Sequence, residues 1–144
     1  MPLAFALLLV VAELMRLKSA WQYAGAVMRV AALVACLGST TAAFLSGYQA
    51  SNGLPDLAPP VAAALGAHHA WGRVLLVTIV LLCAFAWVAR IATHGKRIFD
   101  ALYYLTLGLY VALVIYVGSL GGALVFKQGL GVTYQPLTAP SSGS

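Results

Sequence analysis

The sequence predicts an all-α fold, an integral membrane protein built as an antiparallel four-helix bundle. Hydrophobic residues make up 62% of the 144 and charged residues only 8%, whereas a soluble domain carries about 25% charged residues. Mean hydropathy is +0.95. The apolar residues also fall into long continuous runs without the alternation of barrel strands, and length separates such runs from strands. In hydrocarbon a helix satisfies its own backbone groups, which makes it the natural form for these runs.

The first span is expected from about Pro2 to Leu17. No basic residue precedes it and no AxA site follows, so it reads as a retained span rather than a signal peptide. It is short against the roughly 20 residues a bilayer needs. Either the helix starts at the very N-terminus, or residues precede Met1. The second span runs from about Tyr23 to Tyr48, the third from Ala70 to Ile91 and the fourth from Phe99 to Phe126.

The connections are short, which makes neighbouring helices antiparallel. Arg16 to Gln22 is basic, as is ATHGKRI from Ala92 to Ile98, while QASNGLPDLAPP from Gln49 to Pro60 is rich in turn formers. Pro59 and Pro60 suit a first helical turn. Val61 to His69 is therefore expected either as a short interfacial helix or as an extension of span three. One membrane domain over 1–135 and an irregular tail over 136–144 complete the organisation.

The net charge of +5 does not point to nucleic acid, because the basic residues stand at the ends of apolar runs. Arg16, Lys18, Arg90, Lys96 and Arg97 share one side; Lys127 and Arg73 lie toward the other. The positive-inside rule puts the first group in the cytoplasm. Both termini then face outward, into the periplasm of a bacterium, and the expected location is the inner membrane.

Few residues offer chemistry. Glu13 and Arg29 lie inside spans, where an unpaired charge costs roughly 2.5–3.5 kcal/mol; they are expected to form a structural ion pair. His68 and His69 in AHHAWGR sit near the outer end of span three. Adjacent helical residues diverge by about 100°, so the two rarely share one metal. Either imidazole is a candidate ligand for a metal or for haem iron. His94 lies about 37 Å further along and cannot join them; Met15 and Met28 are near the opposite face. A b-type haem would thus need its second ligand from elsewhere, and the cofactor stays unknown. Tyr48 and Ser119 are expected near the same outer end as candidate cofactor contacts.

Gly118 and Gly122 make a GxxxG spacing, with Gly121 beside them, and Gly38 opens a similar small-residue stretch on span two. Such surfaces let backbones approach, within the bundle or against a partner. Trp21, Tyr23, Trp71, Tyr103, Tyr104 and Tyr134 are expected in interfacial belts, and Trp87 in packing. Cys36 and Cys83 read as buried free thiols. No CxxC, GxSxG, Walker loop or HExxH is present, so no standalone catalytic motif supports an enzyme.

GSLGGALVFKQGLGV, from Gly118 to Val132, resembles the GxLGGxLVYxxGxGV ending of a bacterial membrane family, domain of unknown function 2231. AHHAWGRVLLV, from Ala67 to Val77, looks like that family's third helix, and MPLAFALLLVVAELM like its first. The resemblance implies a four-helix membrane domain in a respiratory or redox setting, since some relatives occur with cytochrome or Rieske iron–sulfur domains. This chain departs from the pattern at two places: relatives often carry histidines ahead of the first helix, and often a histidine where Ser119 stands.

Three functions follow as expectations: a small subunit of an electron-transfer assembly bordering a haem or quinone; a non-catalytic accessory subunit held to other membrane subunits or to a second copy; and a small transporter or channel. The third ranks last because transporters place polar residues at mid-membrane, where this sequence is poor in them.

Overall fold

A computed structural model describes residues 2–52, 59–92 and 94–128. Gln49 to Asn52, expected in the second connection, belong to α2, while Gly53, Pro55 and Asp56 of that connection and the 136–144 tail lie outside the described residues. Four helices account for the fold: α1 (Pro2–Arg16), α2 (Gln22–Asn52), α3 (Pro59–Ile91) and α4 (Lys96–Gln128). Each packs chiefly on its hairpin partner, α1 on α2 and α3 on α4, and contacts of α2 with α3 and of α1 with α4 close the ring. Chain order and antiparallel neighbours match the expected bundle.

Among the described residues, three helices are long and apolar enough to cross a membrane, over Gln22–Gln49, Pro59–Ile91 and Lys96–Lys127. Their 28 to 33 residues correspond to about 42–50 Å of helix, against about 30 Å of hydrocarbon. The expectation of four spans is met only in part. α1 has 15 residues, about 22 Å, and lines the bundle without the length of the others. Val61 to His69 belongs to α3, which opens on Pro59 and Pro60 and runs unbroken to Ile91.

Local chemistry explains the bends. After α1, the Lys18 amide donates to the Met15 carbonyl and the Trp21 amide to that of Lys18, making one tight 3₁₀ turn at Ser19–Trp21. Between α3 and α4, Gly95 has φ +72°, a left-handed conformation that glycine adopts without steric cost. Its carbonyl accepts from the Ile98 and Phe99 amides and so opens α4.

The core is narrow. Leu9, Cys36, Ile79, Leu82, Tyr103 and Tyr110 are its largest fully buried side chains. Outward faces are as apolar as inward ones: Leu105 is 71% exposed and Phe126 89%. Such a surface would drive association in water; against lipid it is the solvated face. Hydroxyls within the helices are largely spent locally, with Ser39, Thr78 and Thr106 each donating to a carbonyl of the preceding turn. Across the bundle, Thr40 and Tyr110 share a buried hydrogen bond of 3.0 Å. Cys36 is buried, Cys83 half-buried, and both are free thiols.

Candidate functional site

Polar chemistry gathers at the two ends of the bundle. The histidine end holds a cavity of about 450 Å³. α1 begins there, with Pro2 and Leu3 on the cavity wall beside Thr40 of α2 and Val114 of α4. Past that level α2 continues for 12 residues, about 18 Å, so α2, α3 and α4 flank the outer part of the cavity. Its lining is mostly apolar, with His68 and His69 among the exceptions.

Gly121 sets the position of the His68 ring. A Cβ at Gly121 would come within 3.2 Å of His68 Cε1, so the missing side chain lets α4 lie directly against the imidazole. His68 Nδ1 is buried and has no hydrogen-bond partner among the described residues. A buried polar atom without a partner costs about 1–3 kcal/mol. The His69 ring lies 6.4 Å from that of His68, inclined by 47°. Tyr48 stands 6.4 Å from His69 on the other side, half-exposed at the rim rather than in the cavity wall.

Other expected contacts are placed differently. Ser119 is exposed, and its hydroxyl donates to the Tyr116 carbonyl at 2.7 Å; α4 turns it away from the cavity that Gly118 and Gly121 line. Among the described residues, a Cβ at Gly38, Gly118 or Gly122 would meet nothing within 4 Å, so these glycines mediate no close packing between the described helices. The close approach is at Gly25, where a Cβ would sit 2.8 Å from Arg16 Cγ, 2.9 Å from Arg16 N and 3.0 Å from the Ala12 carbonyl.

The arginine end is organised around Glu13, which is 5% exposed. Oε1 accepts from the Tyr103 hydroxyl at 2.7 Å and lies 3.0 Å from Arg29 Nε. Oε2 accepts from Arg16 Nη1 at 2.8 Å and from the Tyr104 hydroxyl at 3.2 Å. The Arg29 guanidinium also stands 4.1 Å over the Tyr103 ring, a cation–π contact that strengthens where water is excluded. Tyr103 is therefore not an interfacial belt residue: it is fully buried and donates to a carboxylate. A carboxylate at this depth needs donors, and α4 supplies two at the level of Glu13. Trp87, expected in packing, is 66% exposed.

A carboxylate held by two guanidiniums and two phenols is a clamp joining α1, α2 and α4. Among the described residues no group of three or more His, Cys, Asp or Glu is placed to hold a metal ion. Among the described residues, no second axial haem ligand faces the two imidazoles. His68 and His69 rise from adjacent positions of one helix, and the facing wall offers Thr40, Gly118 and Gly121, none of which ligates iron. Comparison with family models, curated proteins and solved structures finds no match to this chain.

Proposed function

We propose that the protein is a small inner-membrane subunit of an electron-transfer assembly, and that its histidine end borders a quinone. The observation that carries this reading is the half-open cavity of about 450 Å³ with two imidazoles in an otherwise largely apolar lining. Lipid-soluble rings occupy cavities of about 300–1,000 Å³ with apolar walls and one or two placed polar groups. A quinone needs a hydrogen bond to a carbonyl oxygen, which an imidazole N–H supplies. The redox setting rests on the resemblance of Gly118 to Val132 to a membrane family some of whose members occur with cytochrome or Rieske domains. In the proposed orientation the basic connections are cytoplasmic and the histidine end is periplasmic.

Extraction of quinone from protein purified in mild detergent tests this. Wild type should retain quinone, and a His68→Ala, His69→Ala double variant should not. Absence of quinone from the wild type, with no quenching of Trp71 by added ubiquinone in a Trp21→Phe, Trp87→Phe variant, would overturn the reading.

A second reading is a non-catalytic accessory subunit that docks other membrane subunits or a second copy. The open space over Gly38, on an exposed face of α2, favours it. A Gly38→Leu variant that left every native membrane complex intact would count against that role for α2.

A further inference from the structure

We propose that the arginine end holds a second, separate site, which binds an anionic phospholipid by its phosphate and one acyl chain. A cleft of about 600 Å³ opens there, bounded mainly by α2 and α3 and reached by the start of α4. Its polar part carries Arg16, Arg29, Arg90 and Lys96, with Asp100 the one acid on its wall. Its apolar part is Leu33, Val34, Leu37 and Trp87.

The two parts are ordered along the helix axes. Lys96 opens α4 and Arg90 stands one residue from the end of α3, so both lie at the end of the bundle. Leu37 lies eight residues beyond Arg29 on α2, about 12 Å deeper. A ligand that matches this must be anionic at one end and greasy at the other, with the greasy end pointing to mid-membrane. Phospholipids of the adjoining leaflet have that shape and orientation, and basic pockets between spans bind their headgroups.

Arg29 provides the specific feature. Its Nε is engaged by Glu13 and its face by Tyr103, while Nη2 is buried with no partner among the described residues. Glu13 offsets one positive charge of the surrounding cluster, so the cleft remains cationic. A phosphate oxygen reaching the cleft would meet guanidinium donors of fixed orientation. The site is independent of the quinone proposal, because it lies at the other end of the bundle and shares no residue with it.

The test uses Trp87, which lines the cleft and is exposed to lipid. A Trp21→Phe, Trp71→Phe variant leaves Trp87 as the sole tryptophan. It is reconstituted in bilayers of phosphatidylcholine carrying either brominated phosphatidylglycerol or brominated phosphatidylcholine at equal mole fraction. Brominated phosphatidylglycerol should quench with about tenfold preference. Adding Arg90→Gln and Lys96→Gln, both exposed and outside the Glu13 cluster, should cut the preference to about twofold, with Arg16 and Arg29 still in place, while circular dichroism stays helical. Equal quenching by both lipids in the parent would overturn the proposal, as would a preference that the double substitution leaves undiminished. Loss of the preference on adding millimolar inorganic phosphate at constant ionic strength would assign the cleft to a free anion and overturn the lipid assignment.

Discussion

Glu13 and Tyr103, ninety residues apart in sequence, meet in the buried bundle with the phenol donating to the carboxylate at 2.7 Å. The bond ties the end of the short helix α1 to the start of α4, and Arg29 links both to α2 through the same oxygen. α1 buries only a thin stripe, Ala6, Leu9, Ala12 and Glu13. Much of its attachment therefore depends on one polar cluster.

Removing the carboxylate should release that attachment. Glu13→Ala leaves Arg29 buried without its counter-charge, and breaking a buried pair from one side costs about 3–5 kcal/mol. Tyr103→Phe removes one hydrogen bond and keeps the ring under Arg29; its cost should be about 1–2 kcal/mol. Thermal unfolding in detergent should rank Glu13→Ala well below Tyr103→Phe and both below wild type. Equal stability of Glu13→Ala and wild type would mean that the cluster does not hold α1.

The glycines separate packing from exposure. Gly25→Ala drives a methyl into the backbone of α1 at Ala12 and Arg16, and such overpacking costs about 1–3 kcal/mol. Gly38→Ala adds a methyl to open space and should stay within about 0.5 kcal/mol of wild type. The same detergent melts decide this. A harmless Gly25→Ala would show that α1 and α2 are further apart than their backbones now stand.

At the histidine end, Gly121→Val should displace the His68 ring, because even its first side-chain carbon would lie 3.2 Å from Cε1. Quinone retention should fall as it does for His68→Ala. Ser119→Ala should leave retention unchanged, since that hydroxyl is engaged by its own helix. A loss with Ser119→Ala equal to that with His68→Ala would place the ligand outside the cavity.

The long apolar runs made the helices legible in the sequence, because lipid imposes length and hydrophobicity on every span. Depth was legible too: Glu13 and Arg29 stand at matching distances from one tight bend, and the structure has them 3.0 Å apart. Rotation about each helix axis was not. α2, α3 and α4 are apolar all round, so nothing in the pattern says that Tyr103 turns inward while Trp87 turns outward, or that Gly121 faces His68 and Ser119 does not. Gly25 was hidden for the same reason, since a close approach depends on which face of α2 meets α1. The Glu13 cluster was half legible: the pair followed from the cost of burying charge, and its phenols did not.

Orientation in the membrane follows from charge and can be tested with one thiol at a time. Arg16, Lys18, Arg90, Lys96 and Arg97 stand at one end, and Arg73 and Lys127 lie toward the other. Lysine and arginine near span ends resist translocation, so the first end should be cytoplasmic. In a background with Cys36→Ala and Cys83→Ala, Lys18→Cys reports the arginine end and Gly66→Cys the histidine end; both positions are exposed, and a Cβ at Gly66 meets nothing within 4 Å among the described residues. A membrane-impermeant maleimide applied to cells with a permeabilised outer membrane and an intact inner membrane should label Gly66→Cys. Lys18→Cys should react only once the inner membrane is opened. The reverse pattern would put the two imidazoles on the cytoplasmic side and the basic cleft in the opposite leaflet. A periplasmic partner for the quinone site would then be ruled out, while the clamp at Glu13 would be untouched, because its energetics depend on burial and not on which compartment lies beyond it.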